Sequence, residues 1–156
     1  MAESRKPLWD EKYRIGVPEV DAQHQRWFEL VDAVLQLVES GEADALAVNA
    51  AMLEAIDYAE EHFKEEEALM RRVNLPLDEL ESHCSMHHAF RTRINALMRH
   101  CRDEYPNVAA EMVAFMHGWL VHHILETDIK FLGFYKQNGS WSPSHTSART
   151  SRGAAN

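Results

Sequence analysis

His62 and Glu66 lie four residues apart, and their types and spacing are the first in this sequence to suggest chemistry. On an α-helix this separation places both side chains on one face. Steps of three and four residues give a mainly apolar stripe, from Met52 to Val73, that includes both. Burying an imidazole and a carboxylate is costly unless something pairs with them. They are either an ordinary His–Glu helix pair or ligands of a metal ion, which binds neutral imidazole and ionised carboxylate.

Two other stretches also place histidines on apolar stripes. His83 and His87 are again four apart, and an H-x-x-x-H pair on a helix is a good bidentate metal clamp. The residue after His83 is Cys84, so the H-E-x-x-H signature of zinc proteases is absent. His24 occupies a core position near the start of a predicted helix, where a lone histidine can also be a hydrogen-bonded structural residue.

The last such stretch combines His123, on a core stripe, with Asp128 five residues later. Five residues correspond to a net turn of about 140° on an ideal helix, so this is the weakest pair on geometry alone. It requires a leaning side chain or a local distortion such as a π-bulge. The histidines that lie off the stripes are His88, His100, His117 and His122.

The apolar periodicity predicts four amphipathic helices with short connections. Their bounds are Asp21 to about Ser40, about Asp44 to Val73, about Asp78 to about Asp103, and Asn107 to about Leu132. Asp21 is expected to cap the first helix, and the last is expected to end before Gly133. Such helices pack best as an up-down-up-down four-helix bundle, which makes the fold class all-α.

The flanking segments predict one bundle domain, residues 1–137, with two extensions. Residues 1–20 are interrupted by Pro7 and Pro18 and are expected to form an extended N-terminal arm. Residues 138–156 contain no acidic residue and are rich in Ser, Thr, Gly and Ala, a composition typical of a disordered tail.

Composition argues against several classes of partner and location. The net charge of −9 disfavours nucleic acid, because phosphates need basic groups. The most apolar stretch, residues 112–125, contains three histidines and is not expected to span a membrane. Two cysteines and the lack of an apolar signal segment near the N-terminus predict a cytoplasmic protein. We expect it to be a monomer.

The candidate ligands converge at one end of the predicted bundle. They are His24, His62, Glu66, His83, His87, His123 and Asp128. They lie near the starts of the first and third helices and near the ends of the second and fourth, which meet in antiparallel order. Five imidazoles and two carboxylates exceed the four ligands of a zinc site and suit two iron ions. The Glu-x-x-His pattern of ferritin-like di-iron proteins does not occur.

Four motifs follow one another between about residues 9 and 135: Asp21-x-x-His24, His62-Phe63-x-x-Glu66, His83-x-x-x-His87-x-x-Phe90 and Trp119-Leu120-x-x-His123-Ile124-x-x-x-Asp128. In this order and spacing the chain resembles the bacterial hemerythrins. The resemblance implies a non-haem di-iron centre that binds O₂ reversibly.

The resemblance also implies a role for each ligand. One iron would be held by His83, His87 and His123. The other would be held by His24 and His62 and keep one position open. Glu66 and Asp128 would bridge the two ions, together with an oxo or hydroxo group.

The pocket over the open iron is expected to have apolar and aromatic walls. The candidate wall residues are Trp27, Phe28, Trp119, Leu120 and Ile124. Trp27 departs from the compact aliphatic residue that is usual in the family. It either narrows the pocket or faces a neighbouring helix.

Three classes of function are compatible with such a centre. The first is O₂ transport, storage or delivery. The second is an O₂ or redox sensor, which would need a protein partner. The third is an enzyme, such as a peroxidase or an NO-handling protein, but the pocket candidates contain no acid or base, so a non-enzyme is expected. Two zinc ions in a hydrolase would be a fourth interpretation.

Overall fold

The structure, a computed structural model, describes residues 7–41, 44–100 and 107–138. Its helices are α1 (Pro18–Ser40), α2 (Ala45–Arg72), α3 (Leu77–His100), α4 (Asn107–His123) and α5 (Ile129–Asn138). A π-helical turn (Ile124–Asp128) joins α4 to α5, and a 3₁₀ turn (Glu11–Tyr13) lies in the N-terminal arm. Among these residues there is no strand. α1 and α3 each pack against both α2 and α4, which confirms the predicted all-α four-helix bundle.

The first helix begins at Pro18 rather than at Asp21, so the predicted N-cap is wrong. Proline suits the first helical position because its φ is preset and its missing N–H would have no helical partner there. The carboxylate of Asp21 instead accepts hydrogen bonds from the backbone N–H groups of Ile15 (2.7 Å) and Gly16 (2.9 Å). Asp21 therefore fastens the arm to the bundle.

The second helix has the ends that the sequence predicts. Asp44 accepts a hydrogen bond from the Ala47 N–H (2.7 Å), which makes it the N-cap. At the other end Asn74 adopts a left-handed conformation (φ 56°), and the Leu75 N–H donates to the Met70 carbonyl (3.0 Å). This arrangement satisfies a terminal carbonyl and stops the helix before α3.

The last helical segment extends beyond Leu132 to Asn138, so the predicted end before Gly133 is wrong. A glycine inside a helix costs about 1 kcal/mol relative to alanine. Phe131 is buried and Tyr135 packs against the core, and this burial offsets the weak propensity of Gly133. The predicted end of the third helix near Asp103 lies outside the described residues. Of the predicted tail, 138–156, only Asn138 is described, and it belongs to the helix.

One continuous helical stretch, Val108–Asn138, is long and apolar enough to cross a membrane by length and composition. Its most apolar window has a mean hydropathy of 1.2, and 44% of that window is buried inside the bundle. Burial of this kind is usual for a core helix, so the stretch is weak evidence for a span. That no membrane is involved stays a prediction.

Candidate metal centre

The seven candidate ligands lie together inside the bundle, and each has an exposed fraction of 4% or less. They come from α1, α2, α3, α4 and the π turn: His24, His62, Glu66, His83, His87, His123 and Asp128. They form two groups that share a carboxylate. Convergence at one level is therefore a property of the fold as well as an expectation from the sequence.

The first group contains three histidines and Glu66. The Nε2 atom of His123 lies 3.0 Å from that of His83 and 3.2 Å from that of His87. The Oε2 atom of Glu66 lies 3.3 Å from His83 Nε2 and 3.4 Å from His87 Nε2. One ligand atom from each of the four residues falls within 4.8 Å of all the others, which is compact enough to hold a metal ion.

The second group contains His24, His62 and the same glutamate. Ligand atoms of these three residues also lie within 4.8 Å of one another. The two imidazole rings are 4.8 Å apart between centroids, and His62 Nε2 is 3.8 Å from Glu66 Oε2. Glu66 thus belongs to both groups.

Asp128 faces both groups with different oxygens. Its Oδ1 atom lies 3.0 Å from His123 Nε2 and 3.2 Å from His83 Nε2, whereas its Oδ2 atom lies 3.2 Å from His24 Nε2. The π turn explains this position, because i→i+5 hydrogen bonding brings residues five apart onto one face. The local distortion that the spacing required is present.

Several buried polar atoms of the cluster have no hydrogen-bond partner among the described residues. They are both side-chain oxygens of Glu66, both of Asp128, both ring nitrogens of His24, and Nε2 of His62. Imidazole nitrogens lie as close as 3.0 Å to these carboxylates, but no hydrogen bond to them is formed within the described part of the chain. Unsatisfied buried carboxylates cost several kcal/mol, and cations between the two groups would satisfy them. The donor set of imidazole and carboxylate fits iron.

The surroundings favour the metal-binding protonation state of His62 and of both carboxylates. Burial lowers the pKa of His62 to about 3, so its imidazole is neutral. Burial opposes ionisation of Glu66 and Asp128, but neighbouring histidines hold the pKa of each carboxyl below its ordinary range. Burial opposes protonation of His83, but the adjacent carboxylates of Asp128 and Glu66, 3.2 and 3.3 Å from its Nε2, raise its pKa to about 10. The two carboxylates therefore attract positive charge, which a metal cation would supply.

Two histidines are oriented by partners outside the cluster. The Nδ1 of His62 lies 2.8 Å from Oε1 of Gln23, whose amide also donates to Glu65. The Nδ1 of His87 lies 3.0 Å from Oε1 of Glu67. Such contacts at Nδ1 leave Nε2 free to face a metal and fix the ring. Neither partner was predicted from the sequence. The available signal was position in the chain, because Gln23 directly precedes the candidate ligand His24 and Glu67 directly follows Glu66.

Trp27, a candidate pocket wall, faces the interior. It is fully buried, and its ring centroid lies 5.9 Å from that of His62 and 6.1 Å from that of Trp119. The rings of Phe63 and Phe90 also lie beside Trp27, with centroids 5.6 and 5.4 Å from its own. Trp27 therefore lies beside His62 and also faces rings of the neighbouring helices, and a role in narrowing the pocket stays a prediction.

The other wall candidates differ in their surroundings. Leu120 and Ile124 are fully buried, and Trp119 stacks on His123 with centroids 4.3 Å apart. The ring of Phe28 stacks on Tyr13 of the arm, 5.1 Å away. That these residues wall a ligand pocket stays a prediction.

The histidines that lie off the predicted stripes are outside the cluster. His88, His100 and His122 are exposed. His117 is half-buried, with its ring 5.8 Å from that of Phe28. Cys84, beside His83, is half-buried, and burial raises the pKa of its thiol.

Comparison with known proteins agrees with this geometry. The profile of the hemerythrin HHE cation binding domain matches residues 15–135, and the chain belongs to the hemerythrin family. That span includes all seven candidate ligands. Family membership supports O₂ binding at non-haem iron, rather than catalysis, as the general function.

Characterised relatives cover most of the chain. A myohemerythrin of Riftia pachyptila is 29% identical over 126 residues, which are 81% of this chain and 91% of that protein. A bacteriohemerythrin of Clostridium acetobutylicum is 24% identical over 133 residues, 80% and 98% of the two chains. A bacteriohemerythrin of Stenotrophomonas maltophilia is 28% identical over 121 residues, which are 78% of this chain and 76% of that protein. No solved structure matches the chain significantly.

Proposed function

We propose that this protein binds O₂ reversibly at a di-iron centre and acts in oxygen transport, storage or delivery. The observation that carries the proposal is the position of Glu66 and Asp128, since each lies against both histidine groups. A carboxylate shared in this way is suited to bridge two cations. A site for a single ion would not need two shared carboxylates.

The ligands divide unequally between the two ions. His83, His87 and His123 would hold one iron, and His24 and His62 the other, with Glu66 and Asp128 bridging. The second iron would have one histidine fewer, which leaves a position for O₂. When bound, the two irons supply the electrons and the open position that O₂ binding needs.

The protein's own residues would make binding reversible by excluding water and fixing the ligands. The cluster is buried, and Trp27, Leu120 and Ile124 near it are fully buried and apolar or aromatic. Of the predicted pocket walls, none carries a carboxylate or an amine that could serve as an acid or base. This favours a carrier over a peroxidase.

Metal analysis with visible spectroscopy tests the proposal. Purified protein would be measured in air, after anaerobic reduction, and after return to O₂. We expect about two irons per chain and a charge-transfer band that appears with O₂ and disappears on its removal. Irreversible oxidation without that band would favour a redox sensor or an enzyme. Zinc, or one ion per chain, would contradict the ligand assignment.

Location and partners rest on the sequence alone. A cytoplasmic, monomeric protein without a nucleic-acid partner stays our prediction. A protein partner would be needed only if the centre acted as a sensor.

A further inference from the structure

A cavity of about 220 Å³ lies between α1 and α2 and extends to the candidate metal centre. Glu19 and Gln23 line it from α1, and Glu65, Glu66 and Arg72 from α2. Glu65 and Arg72 are exposed, whereas Glu66 has an exposed fraction of only 1%. The cavity therefore connects the surface with a carboxylate that belongs to both ligand groups.

The polar side chains of this cavity favour a cation. Glu19, Glu65 and Glu66 contribute three carboxylates against the one guanidinium of Arg72. Neither carboxylate oxygen of Glu66 has a hydrogen-bond partner among the described residues, so a buried acceptor is available where the cavity meets the cluster. The net charge of −9 adds a general attraction for cations.

A hydrogen-bonded chain links the cavity wall to a second ligand. Glu65 accepts a hydrogen bond from the amide of Gln23, and Gln23 Oε1 lies 2.8 Å from Nδ1 of His62. A cation held at Glu65 would thus be linked to His62 through Gln23, and it would lie in the same cavity as Glu66.

Another cavity, of about 70 Å³, reaches His83 between α3 and α5, with Thr127 of the π turn also in its wall. Besides His83, its lining includes one acid, Glu79, and one lysine, Lys130, so it has no excess of negative charge. It is smaller and has no carboxylate that belongs to the cluster. The two cavities differ in size and charge, and both differences favour the one between α1 and α2.

We propose that the cavity between α1 and α2 is the route by which divalent metal ions, Fe²⁺ in the first place, load the centre. This inference rests on the proposed function. Glu65 and Glu19 attract the ion, Glu66 receives it, and Arg72 slows its approach.

Uptake of Co²⁺ by the metal-free protein tests the route, because bound Co²⁺ has a visible absorption that stopped-flow spectroscopy can follow. Replacing the exposed, cavity-lining Ala68 with Trp should obstruct the route and slow uptake at least several-fold, with the same final number of ions. Ala89→Trp, at an exposed position of α3 outside the cavity, is the matched control and should not change the rate.

Two charge reversals test whether the charges at the opening of the cavity set the rate of metal uptake. Arg72→Glu should speed uptake by a factor of about 3 to 10 at low ionic strength, since an added negative charge at the opening attracts the cation. The gain should shrink as salt screens the charge. Lys130→Glu makes the same change at the other cavity and should leave the rate within about twofold of wild type.

The outcomes separate the route from the proposed function. Two Co²⁺ ions per chain with an unchanged rate in Ala68→Trp would overturn the route and leave the centre intact. Equal acceleration by Arg72→Glu and Lys130→Glu would also overturn it, because overall charge would then explain both. If wild-type protein at saturating Co²⁺ bound none, the proposed function itself would fail.

Discussion

The Nε2 atom of His24 lies 3.2 Å from Oδ2 of Asp128, which joins the first helix of the bundle to the π turn after the fourth. The other oxygen of Asp128 lies 3.0 Å from Nε2 of His123. One carboxylate thus connects the two histidine groups, and neither of its oxygens forms a hydrogen bond among the described residues. This is the arrangement expected of a bridging ligand.

Removing this carboxylate should weaken both halves of the centre. We expect Asp128→Ala to bind one iron or none, where wild-type protein binds two, because the variant loses a ligand to each ion. Iron per chain after gel filtration measures the effect. Glu126→Ala removes an exposed carboxylate from the same π turn and should keep both ions. Full occupancy in Asp128→Ala would show that Glu66 and the histidines suffice.

The sequence allowed the fold class and the convergence of the ligands to be predicted because both follow from periodicity and antiparallel order. Asp128 shows the limit of that reasoning. A five-residue spacing is wrong for an ideal helix, and sequence could say only that a distortion was required. The π turn, Ile124–Asp128, supplies it. Ile124 and Asp128 at its two ends are buried, so the turn is part of the packed interior, which periodicity alone does not describe.

Gln23, Glu67 and Asp21 show a second limit. Each makes a contact whose partner is fixed by tertiary structure or by the path of the arm. Asp21 in particular has the residue type of an N-cap, and the sequence predicts that role for it. A proline at position 18 can begin the helix, however, and the carboxylate then binds the N–H groups of the arm.

The contact between Asp21 and the arm should contribute to stability. Asp21→Ala leaves the partly buried N–H groups of Ile15 and Gly16 without their acceptor. We expect the free energy of unfolding to fall by about 2 kcal/mol, the scale of hydrogen bonds to a charged group. Urea denaturation followed by circular dichroism measures the change.

Asp10→Ala is the control for this loss. Asp10 caps only the short 3₁₀ turn, where its carboxylate accepts from the exposed Lys12 N–H at 3.1 Å. Its removal should cost about 1 kcal/mol or less. Equal losses in the two variants would mean that Asp21 does not fasten the arm.

Glu67 should strengthen metal binding through His87, although it lies outside the cluster. Glu67→Gln keeps the shape of the side chain but removes the negative charge from the partner of His87 Nδ1. We expect metal affinity to fall by about 10-fold, the lower range for partners of metal-bound histidines. Competition with a chelator measures the affinity.

Glu60→Gln is the matched control on the same helix. Glu60 pairs with Arg91 at 2.8 Å and touches no histidine of the cluster in the described contacts. The metal affinity of the Glu60→Gln variant should equal that of the wild-type protein. If both variants lost affinity equally, general charge on α2 and not the contact with His87 would be responsible.

Trp27 should control how O₂ or water reaches the centre, because its buried ring lies beside His62. Trp27→Leu removes volume at that point, and we expect O₂ exchange or autoxidation to become several-fold faster, as measured by stopped-flow and by decay of the O₂-dependent band. The substitution should also destabilise the fold by about 3 kcal/mol. The rates should therefore be measured at a temperature well below the unfolding transition of the variant. Phe90→Val opens a cavity of more similar size in the same aromatic cluster without changing a predicted pocket wall. Acceleration in Trp27→Leu alone would place Trp27 at the pocket, whereas equal rates in wild type and Trp27→Leu would leave it a packing residue.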